Sequence, residues 1–169
     1  MDSWDTANLV LGCFCIVLSF LPTGYLISNN RYKRKLYLYS LLICVANIGM
    51  ALGSLPEYLM DAAVEARERR VLLLGGTLYY GAFTCLLFFF LQYFFEYLQL
   101  SGRERQLCSV GAFSMTGLLL LLTLASPWTG AAFTVDEDGL QMGPWFPLLQ
   151  GVVLLCYLFV TIVILRHRS

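Results

Sequence analysis

The chain has 169 residues, of which 59% are hydrophobic, 15% aromatic and only 13% charged, and its formal net charge is zero. A soluble domain carries about 25% charged residues, so this composition excludes a water-soluble catalytic domain, and no nucleic-acid partner is expected. The apolar residues gather into five runs, 8–28, 36–55, 71–95, 107–126 and 145–165. Each is roughly 20 residues or longer, enough to cross about 30 Å of hydrocarbon as a helix. The predicted fold is an all-α membrane protein: one domain over residues 1–169, built as a bundle of five transmembrane helices.

The first run follows an acidic leader with Asp2 and Asp5 and is longer than the apolar region of a secretory signal, so it is read as a retained span. Pro22 is expected to kink it, and Ser28-Asn29-Asn30 to end it. The second run holds Asn47 near its middle and a Gly49-x-x-x-Gly53 close-packing motif, with Pro56 as its expected stop. After it, Leu55, Tyr58, Leu59, Ala62 and Ala66 recur at helical spacing beside Asp61, Glu65 and Arg69, which predicts an amphipathic segment at the membrane surface.

The third run is the longest. Carried through to Leu100 it would span about 45 Å, so it must tilt or project from the bilayer, and Ser101-Gly102 is the expected break. The fourth run is expected to stop at Ser126-Pro127. Beyond it, Ala131–Val135 is strand-like, Asp136–Gly139 is a turn and Leu140–Gly143 returns, so a short extracytoplasmic hairpin is predicted before the fifth helix. Gly143-Pro144 opens that helix, and Pro147 falls in its first turn, where it costs little.

Basic residues are sorted between the connectors. Arg31, Lys33, Arg34, Lys35, Arg103, Arg105, Arg166 and Arg168 fall on one side, against Arg67, Arg69 and Arg70 on the other. The positive-inside rule then places the N-terminus outside and the C-terminus in the cytoplasm of a multi-pass plasma-membrane protein. The Arg31-to-Lys35 cluster is an anchor for that topology, with some attraction to anionic lipids.

Polar groups inside a membrane are costly unless they are paired or face a cavity. Asn47, Gln92 and Glu96 are the intramembrane candidates, and Gln92 and Glu96 share a face at spacing i, i+4. Either they contact a ligand or relay a signal, or they make interhelical hydrogen bonds. Tyr79, Tyr80, Trp145 and Gln150 are the candidate lining of an outer, aromatic, ligand-binding pocket beneath the hairpin, the alternative for the aromatics being an interfacial belt. Gly49 and Gly53 are helix-packing candidates. Catalytic residues are not expected, because no nucleophile elbow, facing Asp pair, phosphate loop or His/Glu metal motif is present. The six cysteines lack metal spacing, so neither a metal nor a cofactor is expected.

Two stretches carry a resemblance. One runs from Tyr79-Tyr80-Gly81 through Phe90-Leu91-Gln92-Tyr93 to Glu96-Tyr97-Leu98 and the basic break Arg103-Glu104-Arg105. The other is Phe133-Thr134-Val135-Asp136-Glu137-Asp138-Gly139 followed by Gly143-Pro144-Trp145-Phe146. Together, over about residues 70–165, they resemble the N-terminal multi-helix membrane sensor domain of bacterial histidine kinases and of related membrane diguanylate cyclases. The resemblance implies signal transduction of the two-component or cyclase type, with a cytoplasmic output module in cis that holds the catalytic activity. In that family two further helices and the output domain follow, so the chain is expected to be a fragment of a longer one, able to homodimerise. The expected function is therefore a sensory input domain in the lipid bilayer. The alternative is a small transporter subunit or a membrane scaffold, and the reading frame beyond Ser169 would discriminate between them.

Overall fold

The computed structural model describes residues 34–59, 66–100, 102–136 and 139–168, together with isolated positions between Val10 and Ser28. Most of the first predicted span, 8–28, lies outside the described residues, as does most of the amphipathic segment after Leu59. Of the five expected helices, four are continuous elements among the described residues: α1 (Arg34–Leu59), α2 (Ala66–Tyr97), α3 (Gly102–Thr129) and α4 (Phe146–Arg168), with strands β1 (Phe133–Asp136) and β2 (Gly139–Met142) between the last two. All four are long and apolar enough to cross a membrane, and the protein is a membrane protein.

Two prolines expected to stop helices lie inside them instead. Pro56 sits within α1, which continues to Leu59. Its ring lies against Gly75 of α2, where an added Cβ would come within 2.9 Å of the proline Cγ. A proline removes one backbone hydrogen bond, and so near the end of a helix this contact with α2 is enough to keep the last turn in place. Pro127 likewise lies within α3, which ends at Thr129. Gly130 then takes a left-handed φ of 66° and donates its N–H to the Ser126 carbonyl at 2.8 Å, a glycine C-cap.

The break between α2 and α3 comes earlier than Ser101-Gly102. Gln99 adopts φ 54°, its N–H reaches the Glu96 carbonyl at 3.1 Å, and the Leu100 N–H reaches the Phe95 carbonyl at 3.2 Å. That pair of bonds is a Schellman motif with glutamine in the glycine position. Leu100 completes it by burying its side chain against Phe95.

The predicted hairpin is present. β1 and β2 pair antiparallel, with Phe133 opposite Met142 and Asp136 opposite Gly139. Alternation along β1 turns Phe133 and Val135 inward, and both are buried. The hairpin is fastened to the bundle by backbone hydrogen bonds: the Ala132 N–H donates to Ser126 Oγ at 2.7 Å, and the Trp145 N–H to the Ala131 carbonyl at 2.9 Å.

α1 and α2 pack through small residues. A Cβ built on Gly53 would lie 2.5 Å from the Tyr79 backbone nitrogen, and one on Gly49 would lie 3.1 Å from the Ala82 Cβ. Lower numbers on α1 meet higher numbers on α2, so the two helices are antiparallel. α4 runs alongside α2 in the same direction, with Phe146 near Tyr80 and Phe159 near Phe95. The bundle therefore has two distinct ends. One carries Arg34, Glu96, Arg103 and Arg105; the other carries Glu57, Arg69, Arg70 and the hairpin.

Candidate functional site: an aromatic groove and a polar seam

α2 places Tyr79 and Tyr80 one turn beyond Gly75 and Gly76. The close approach allowed by Gly75 serves α1, whereas Gly76 makes room for the hairpin, since a Cβ there would lie 3.0 Å from both Phe133 and Leu140. Tyr80 is buried in the resulting cluster. Its ring stacks on Phe133 at 5.3 Å between centroids and meets Tyr79 edge-on at 5.1 Å and Phe146 edge-on at 6.2 Å. These separations are those of favourable aromatic pairs, and they lock one wall of a groove between α2 and α4.

The groove has a volume of about 500 Å³. Tyr79, Tyr80 and Phe83 form one wall, Phe146 and Leu149 the other, with Met142 of the hairpin above and Gln150 at the rim. No ionisable carboxylate or cation lines it; its polar groups are two phenolic hydroxyls and one amide. An apolar concavity with a few hydrogen-bonding groups is the usual form of a small-molecule site.

Three of the predicted ligand residues, Tyr79, Tyr80 and Gln150, thus meet in one place. Trp145 does not: it is 54% exposed beside the hairpin, held by its backbone bond to Ala131. Gln92 does not either. It lies about 18 Å further along α2, buried, and its Nε2 donates to Ser109 Oγ of α3 at 3.0 Å.

One turn beyond Gln92, Glu96 is also buried and accepts an ion pair from Arg105 at 2.6 Å. Gln92–Ser109 and Glu96–Arg105 form a polar seam that pins the end of α2 to the start of α3. Sequence spacing identified Gln92 and Glu96 but not their partners, because Ser109 and Arg105 lie on another helix and carry no periodic signal. Phe83 and Leu149 were missed as wall residues, because an apolar residue inside an apolar run carries no signal of which face it presents to a groove.

Cys44, Cys85, Cys108 and Cys156 form no disulfide, and no metal-holding cluster occurs among the described residues. Comparison with protein-family models, with curated proteins and with solved structures finds no match. The groove and the seam are therefore read from their own geometry.

Proposed function

We propose that the chain is the membrane-embedded input domain of a signalling protein, which binds a small molecule in the outer groove and passes the change through α2 and α4 to a cytoplasmic output module in cis. The observation that carries this reading is the groove bounded by Tyr79, Tyr80 and Gln150, with its walls contributed by two helices that both run to the opposite, basic end of the bundle. A ligand shifts an equilibrium only through a difference in affinity between two packings. A groove shared by α2 and α4 supplies such a difference if their separation changes. The concentration of Arg34, Lys35, Arg103 and Arg105 at the far end supports a cytoplasmic location for that end and an outward-facing hairpin, in a plasma-membrane setting.

The test is to fuse residues 1–169 to a reporter kinase and compare the intact sequence with Tyr80→Ala and Gln150→Ala across a panel of small amphiphiles and peptides. The intact fusion should respond to at least one compound, and both substitutions should blunt that response. Output that stays flat for every compound in all three proteins overturns the sensor reading.

A further inference from the structure

A second cavity, of about 200 Å³, lies between α3 and α4 in the half of the bundle that carries the basic end. Leu107, Gly111 and Met115 of α3 face Cys156 and Phe159 of α4 across it, and its lining is almost wholly apolar. It is open to the bilayer at Leu107, whose side chain is 65% exposed. Gly111 keeps it open, since a Cβ there would meet nothing within 4 Å. A slot that opens onto lipid and holds no polar partner accommodates hydrocarbon.

Arg103 stands one helical turn before Leu107, on the same face of α3. It is exposed and makes no ion pair among the described residues. Its neighbour Arg105 is already committed to Glu96, and the adjacent acid Glu104 is itself engaged. A free cation at the mouth of an apolar slot matches a molecule that carries an anionic head and a hydrocarbon tail.

We infer that this slot seats one acyl chain of an anionic phospholipid whose phosphate rests on Arg103. The charge selects the head, and the cavity explains why the lipid would stay at this place rather than exchange freely around the protein. A basic residue near the headgroup region attracts an anionic lipid about fivefold over a zwitterionic one. The site is independent of the outer groove and of any ligand bound there.

Native mass spectrometry of the purified protein, loaded with equal amounts of phosphatidylglycerol and phosphatidylcholine of identical chains, tests the assignment. The intact protein should retain the anionic lipid about fivefold over the zwitterionic one, and Arg103→Gln should bring the ratio close to one. Gly111→Leu, which fills the slot, should lower retention of both lipids. Arg69→Gln, an exposed arginine at the opposite end, should leave the preference unchanged. A ratio near one in the intact protein, or an equal fall in Arg69→Gln, would overturn the site. Loss of the preference in millimolar inorganic phosphate would reassign Arg103 to a free anion. The arginine substitutions lie on the surface and leave the fold intact, so the test stands even if Gly111→Leu does not fold.

Discussion

The seams that α2 makes with α1 and with α4 are built on opposite principles. Against α1 the backbones nearly touch: Gly53 and Gly75 meet with no room for a Cβ on either, and the Pro56 ring fills what remains. Against α4 the spacing is set by rings and long aliphatic chains, Phe146 and Leu149 at one end and Phe159 at the other, and cavities lie alongside. Lipid gives helices no hydrophobic reason to associate, so association rests on packing and hydrogen bonds. The first seam leaves no room for even one added methyl at Gly53 or Gly75. The second has space on its flanks, so α4 can shift against α2 without breaking backbone contacts. The difference separates a backbone-tight pair, α1 and α2, from a helix seated beside open space.

The comparison breaks most decisively at Gly53. Gly53→Leu places a branched side chain where even a Cβ meets the Tyr79 backbone at 2.5 Å. Overpacking of this kind costs typically 1–3 kcal/mol and occasionally more, and because backbone rather than a side-chain tip is in the way, about 3 kcal/mol or outright misfolding is expected. Gly49→Ala faces only the Ala82 Cβ at 3.1 Å, and about 1 kcal/mol is expected. Thermal melts in detergent that rank the two equally would show that the seam is not backbone-tight.

The polar seam comes next. Arg105→Gln leaves the Glu96 carboxylate buried without its cation. Breaking a buried pair costs 3–5 kcal/mol, but Arg105 is 32% exposed, so water can partly replace it and roughly 2 kcal/mol is expected. Adding Glu96→Gln should restore much of the melting temperature. A double variant no more stable than Arg105→Gln would show that the pair contributes little.

The α4 seam should tolerate what the α1 seam does not. Val153→Phe adds volume beside a groove of about 500 Å³, so the new ring has somewhere to go and a change below roughly 1 kcal/mol is expected. The same substitution should abolish any response carried by the groove, because it occupies the space. A melting temperature that falls as far as for Gly53→Leu would mean that α4 is as tightly seated as α1.

The residues differ in how far their surroundings could be read in advance. The apolar runs, the Gly49-x-x-x-Gly53 spacing and the Asp-Gly turn are local signals, and α1 to α4 and the hairpin fall where those signals put them. Helix ends were less legible. Pro56 and Pro127 read as stops, but a contact with Gly75 in one case and a Gly130 cap in the other sustain the last turns. The turn at Gln99 was invisible because glutamine is not a residue that marks a left-handed cap. Tyr79, Tyr80 and Gln150, named by type and position, line one groove, whereas Trp145 is exposed beside the hairpin and does not line it.

Gln92 offers the smallest effect and a clean measure of how the two ends of α2 differ. Its amide makes one hydrogen bond, to Ser109 Oγ at 3.0 Å, in a buried position between α2 and α3. Such bonds in membrane proteins average about 0.6 kcal/mol, because the separated helices also find partners for their polar groups. Gln92→Leu keeps most of the volume and removes the donor, so a loss of about 0.6 kcal/mol is expected. Ser109→Ala should cost about the same, and the double variant should cost no more than either alone, since both remove one shared bond. Additive losses would instead assign Gln92 a further partner. Because the proposed signal runs along α2 past Gln92, the output evoked from the outer groove should also change in Gln92→Leu; an unchanged response would mean that α4 alone carries it.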